Sequence, residues 1–165
     1  MAGYKGHIAG AIVFFVIYFF GLLFAFSAGA TFAQFDSLEH LAYPAALFCL
    51  CIMFGLWPDV DTNSKAQDIF YVLFFLVDIV LIATKRIEAA AYLGLFAILP
   101  VLGKHRGWTH TWWAMLLIPA PLLLIPGLVF PDRPFAALPL YGAAVVGYFS
   151  HLFMDGLIVP FNKRK

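Results

Sequence analysis

Long apolar runs dominate this chain, and they constrain its fold more than any other feature. The stretch from Ile8 to Ala30 is by itself long enough to cross a bilayer. Further runs follow it almost to the C-terminal end, separated only by short polar segments. The composition agrees: 64% of the residues are hydrophobic and 12% are charged, whereas soluble domains carry about a quarter charged residues. A water-soluble globule of this size would lack the polar surface to cover itself. The net charge of +1 gives no basic face for a nucleic acid. The two cysteines, Cys49 and Cys51, lie two apart inside an apolar run. They point to different sides of a helix, which reads as small buried hydrophobes and not as a disulfide.

The pattern predicts an all-α polytopic membrane protein, a single membrane-embedded domain over 1–165 with about six transmembrane helices. The expected spans are Ile8–Ala30, Leu41–Trp57, Asp68–Thr84, Glu88–Gly103, Thr111–Phe130 and Phe135–Pro160. The first is longer than the apolar core of a signal peptide and is read as a retained helix. Pro119, Pro121 and Pro126 are expected to kink or break the fifth. With six spans both termini lie on one side. That side holds Lys5, Lys65, Lys104, Arg106, Lys163, Arg164 and Lys165, against Lys85, Arg86 and Arg133 on the other. Seven basic residues against three place the termini in the cytoplasm.

On this map the unusual polar residues converge. His7 opens the first helix, Asp59 and Asp61 follow the second, His105, Arg106 and His110 join the fourth to the fifth, and His151 and Asp155 close the sixth. All fall on the cytoplasmic side. His151 and Asp155, four apart, share one helix face about 6 Å apart along the axis. If the helix runs on to Pro160, both lie at or below headgroup depth, where ionisable groups are costly and default to a functional reading. A polar clamp between helices is the alternative for that pair. Pro58 interrupts the second helix, so Asp59 and Asp61 are expected on a turn, either as ligands or as a cap and solvated loop. Gly107 permits a tight loop carrying two imidazoles, and Arg106 there suits either a substrate phosphate or a lipid phosphate. Four His and three Asp exceed the three protein ligands of a single catalytic zinc. They suit two ions about 3.5–4 Å apart with a bridging carboxylate. Imidazole and carboxylate without thiolate favour zinc, with manganese or iron as options. Asp78 stands mid-span in the third helix, away from the group. It is expected as a neutral acid hydrogen-bonded between helices or as a proton relay.

Four segments carry a family resemblance: Gly6-His7; Leu56-Trp57-Pro58-Asp59-Val60-Asp61 with Ser64; His105-Arg106-Gly107-Trp108-Thr109-His110; and Gly147-Tyr148-Phe149-Ser150-His151-Leu152-Phe153-Met154-Asp155. Together they resemble the membrane-bound metal-dependent hydrolase family of the YdjM type, in its order and over nearly the whole chain. Trp57 stands where that family commonly has leucine, and Thr62-Asn63 where it often has His-Pro. The resemblance implies hydrolysis and a likeness to zinc-dependent phospholipases C.

The expected activity is therefore metal-dependent cleavage of a phosphoester in a membrane lipid or lipid-linked substrate. His7, Asp59, Asp61, His105, His110, His151 and Asp155 are the expected ligands. Arg106 offsets phosphoryl charge, and Asp59 or Asp61 serves as acid or base. Two readings from other classes stand beside it: a metal-ion transporter or sensor, and a membrane protein in which the metal only ties helix ends together.

Overall fold

The computed structural model describes residues 3–27, 39–61, 65–98, 108–123 and 137–157. Every regular element among them is helical. The helices are α1 Tyr4–Ser27, α2 Glu39–Leu56, α3 Lys65–Ala83, α4 Ile87–Ile98, α5 Trp112–Leu117 and α6 Leu138–Met154, with short 3-10 turns at Trp57–Asp61 and Trp108–His110.

Helices α1, α2 and α6 pack on one another and form the centre. Small residues make this possible. Ala11, Ala143 and Ala144 are fully buried, and Gly147 faces α2 so closely that a Cβ there would fall inside the Cys51 carbonyl. Lipid tails are as apolar as leucine, so membrane helices associate through such close backbone packing more than through hydrophobic burial. Tyr18 adds a polar tie, its hydroxyl donating to the Pro139 carbonyl at 2.7 Å. Helices α3 and α4 pair beside this centre, and α3 also rests on the Trp57–Asp61 turn. An aromatic layer of Phe54, Trp57, Phe70, Phe74 and Tyr148 joins the two parts; Phe70 and Phe74 stack at 4.1 Å.

The periphery is apolar. Val13, Ile17, Phe20 and Phe24 of α1, Val72, Phe75 and Val80 of α3, and Tyr92 and Leu95 of α4 are all exposed. A face of this extent would aggregate in water; against lipid it is the matching surface.

Helix lengths differ from the six-span expectation. Two described helices have both the length and the apolarity of a full crossing, Tyr4–Ala25 and Tyr43–Val60. Trp112–Leu123 and Leu138–Met154 are apolar but shorter, and α4 has 12 residues, about 18 Å. The regular helix of α5 ends at Leu117, and Pro119 and Pro121 follow at once, as their missing N–H groups dictate. The remainder of the expected fifth span, from 124 on, lies outside the described residues.

The last helix ends earlier than expected. Hydropathy carries it to Pro160, but α6 stops at Met154 with Asp155 as its cap. Gly156, at φ 71°, takes the left-handed conformation. Its N–H bonds the Phe153 carbonyl at 3.0 Å, and that of Leu157 reaches back to Leu152 at 2.9 Å, the paired closure that ends helices at a glycine. His151 and Asp155 thus occupy the last turn and cap, not a point deeper along a continuing helix. The depth inferred from Pro160 falls with that correction.

Candidate metal centre

Five of the seven expected ligands can be placed, and they meet. His7 comes from the first turn of α1, Asp59 from the Trp57–Asp61 turn, His110 from the Trp108–His110 turn, and His151 and Asp155 from the end of α6. The side chain of Asp61, and all of His105 and Arg106, lie outside the described residues.

Local structure explains each placement. Pro58 tightens the end of α2 into a 3-10 turn, and Gln67 of α3 holds it by donating to the Val60 carbonyl at 3.0 Å. The turn bearing His110 is fixed from two sides. Thr111 caps α5 by accepting from Ala114 N–H at 3.4 Å while donating to the Trp108 carbonyl at 2.6 Å. From α6, the Tyr148 hydroxyl donates to the Thr109 carbonyl. His151 is set by α2: its Nδ1 lies 2.9 Å from the Gly55 carbonyl. A carbonyl only accepts, so Nδ1 carries the proton and Nε2 presents a lone pair to the centre.

The distances have a distinctive range. Nε2 of His110 and of His151 each lie 3.6 Å from Asp59 Oδ1, and 4.0 and 3.7 Å from Asp155 Oδ2. Nε2 of His7 lies 3.7 Å from Asp59 Oδ2 and 3.6 Å from Asp155 Oδ1. A charge-assisted hydrogen bond runs about 2.7–2.9 Å, so none of the six is a good one. Donors about 2.1 Å from a tetrahedral ion, by contrast, stand about 3.4 Å apart. The spacing is close to that of a coordination polyhedron, slightly expanded. The rings fit closely: His7 stacks on His151 at 3.8 Å, and His110 meets His151 edge-on at 5.3 Å.

Burial sharpens the point. Side chains of His7, His110, His151 and Asp155 are 0–6% exposed, whereas Asp59 is 24% exposed. Nε2 of all three histidines, Nδ1 of His7 and Oδ1 of Asp155 are buried with no hydrogen-bond partner. Buried polar atoms without partners are rare because each costs its desolvation. A cation among them would satisfy the three Nε2 atoms and the Asp155 oxygen, and the donor chemistry fits zinc, manganese or iron. Two overlapping groups, His7 with His151 and Asp155, and Asp59 with His110 and His151, could each hold an ion.

The comparisons with known proteins place the same chain. The family model described as YdjM inner membrane protein matches residues 8–160. The chain belongs to the YdjM inner membrane protein family. No curated protein and no solved structure matches it. The match agrees with the motif resemblance and makes this an inner membrane protein. His7 stands one residue before the matched segment, so the YdjM match by itself would not have flagged it; the sequence signal was a lone histidine at the start of an apolar run.

Sequence reasoning missed the parts of this YdjM protein that orient the cluster. Tyr148 was quoted as motif, but its bond to Thr109, 39 positions away, has no local signature. Tyr148→Phe is expected to weaken metal binding about tenfold or more, as loss of a group that orients a ligand does. Tyr141→Phe, which removes a hydroxyl bonded to the Leu116 carbonyl at 3.1 Å, is expected to leave it unchanged. Zinc titration against a competing chelator checks both; equal affinities in the two variants would remove Tyr148 from this role.

Proposed function

We propose that this protein is a membrane-embedded metal-dependent hydrolase that cleaves a phosphoester of a lipid or membrane-associated substrate at the cytoplasmic face. One observation carries the reading: three imidazole nitrogens and two carboxylates converge, with Nε2 of His7, His110 and His151 and Oδ1 of Asp155 buried without hydrogen-bond partners and Asp59 the most open of the five. A structural tie needs fewer donors and no access.

The carboxylate pattern favours two ions. Asp59 turns Oδ2 to His7 and Oδ1 to His110 and His151, while Asp155 turns Oδ1 to His7 and Oδ2 to the other two. Each carboxylate thus spans from one side to the other, as a bridging ligand does. In this reading His110 and His151 would hold one ion and His7 the other, with Asp61 and His105 as further donors. Bound divalent ions, zinc favoured, supply Lewis acidity toward a phosphoryl oxygen and make water a competent nucleophile near neutral pH.

The chain's own residues do the rest. Whichever of Asp59 and Asp61 does not bridge the ions would take or return a proton at the site. His151 is held in one tautomer by Gly55, so its lone pair is committed inward. Arg106 offers a planar fork to the phosphoryl oxygens. Given six spans, the seven-to-three bias of basic residues favours cytoplasmic termini.

Reconstituted protein in inverted and right-side-out vesicles, incubated with phospholipids and polyprenyl phosphates with and without chelator, tests the proposal. Released headgroup or phosphate is read by mass spectrometry. Chelator-sensitive turnover when the site faces the medium in inverted vesicles is expected. Turnover that ignores the chelator would move catalysis elsewhere. No turnover by metal-replete protein would leave a structural metal. The transporter reading requires polar groups through both halves of the bilayer, and the half away from the metal centre offers only Asp78 and loop charges in the sequence.

A further inference from the structure

Away from the metal centre, α3 and α4 border an open cleft of about 300 Å³. Tyr71, Phe74, Phe75 and Asp78 line it from α3, and Leu93, Gly94 and Ala97 from α4. The spacing on α3 puts its four residues along one stripe of the helix. Asp78 is the one carboxylate among the lining residues, and none of these residues belongs to the metal centre.

Asp78 does not make the interhelical hydrogen bond expected of a neutral acid in this position: its Oδ1 is buried with no partner. Among the described residues no cationic side chain lines the cleft. Beside it Gly94 leaves room, since a Cβ there would meet nothing within 4 Å. The remaining wall is largely aromatic.

We propose that this cleft is a ligand site for a small lipophilic organic ammonium, seated with its charge on Asp78 and its apolar part along Tyr71, Phe74 and Phe75. The two kinds of wall act in the same direction. An ammonium gives the carboxyl oxygen the donor it lacks, and the faces of aromatic rings attract cations while accepting apolar surface. An anion would meet a carboxyl, and a purely apolar ligand would leave Oδ1 buried and unpaired. The volume lies at the low end for small-molecule sites, about 300–1,000 Å³, so the ligand is small. Access is short: Asp78 lies seven positions before Lys85 of the α3–α4 turn, about 10 Å along a helix.

The test is a fluorine NMR titration of 4-fluorophenethylamine into full-length protein in nanodiscs, with empty nanodiscs to measure partition. Saturable binding above partition is expected. 2-(4-Fluorophenyl)ethanol, the same framework without charge, is expected to bind at least about tenfold more weakly. Asp78→Asn, which keeps shape and removes charge, is expected to weaken the amine by a similar factor. Gly94→Leu fills the open space and is expected to abolish binding. Unsaturable uptake matching empty discs overturns the proposal, as does equal affinity for amine and alcohol, or an affinity unchanged in the variants. If one variant fails to insert, the other carries the comparison. Metal content, which neither change is expected to alter, keeps failure here distinct from failure of the metal centre.

Discussion

His151→Ala is expected to lower metal affinity by more than about 100-fold, the largest effect of any single change. Loss of a group that merely orients a ligand costs about 10–100-fold, and His151 does more. Its Nε2 faces Asp59 and Asp155 together, its ring stacks on His7, and it belongs to both candidate ion groups. The variant therefore removes a donor to one ion and also the ring packed against His7, where His110→Ala leaves the His7–His151 stack intact. Stability should follow occupancy. An ion bound to the folded form stabilises it by about 4 kcal/mol at 1,000 times its dissociation constant. Chelator should therefore lower the melting temperature of the parent protein and leave His151→Ala unmoved. Elemental analysis and thermal melts with and without chelator check this; full metal content in the variant would contradict it.

Gly147→Ala is expected to cost about 1–3 kcal/mol of stability or more, the range for overpacking a close contact. The added Cβ would fall inside the Cys51 carbonyl. Backbone cannot swing aside as a side chain can, so α2 and α6 must separate. That separation also draws the Gly55 carbonyl from His151 Nδ1, now at 2.9 Å, and metal affinity should fall with stability. Gly94→Ala is the control. Its Cβ enters open space, and alanine is the better helix former by about 0.5–1 kcal/mol, so it should be neutral or slightly stabilising. Chemical denaturation in micelles checks both; an undisturbed Gly147→Ala would refute the close packing.

Much of the candidate site was legible because ionisable side chains are costly beside lipid and stand out where they cluster. His7, Asp59, His110, His151 and Asp155 stand out against apolar runs, and Pro58 announces the turn carrying Asp59. Helix ends were less legible. Hydropathy reports what solvent a segment prefers, not whether its backbone stays helical. It carried the last helix to Pro160, whereas the left-handed Gly156 ends it. The fifth helix shows the reverse case, where Pro119 and Pro121 gave a local signal strong enough to read. The contacts Gly147–Cys51 and Tyr148–Thr109 were illegible because they depend on which helices become neighbours. Asp78 was legible as an anomaly, but its cleft depends on Gly94 of the next helix.

The central claim is that these five side chains hold metal. The most direct measurement is an anomalous difference map, recorded at the metal edge, from crystals of metal-replete protein. Density bounded by Nε2 of His7, His110 and His151 and by the carboxylates of Asp59 and Asp155 is expected, resolving into two peaks about 3.5–4 Å apart. Metal-replete protein with its anomalous density elsewhere, and no peak among these five residues, would contradict it.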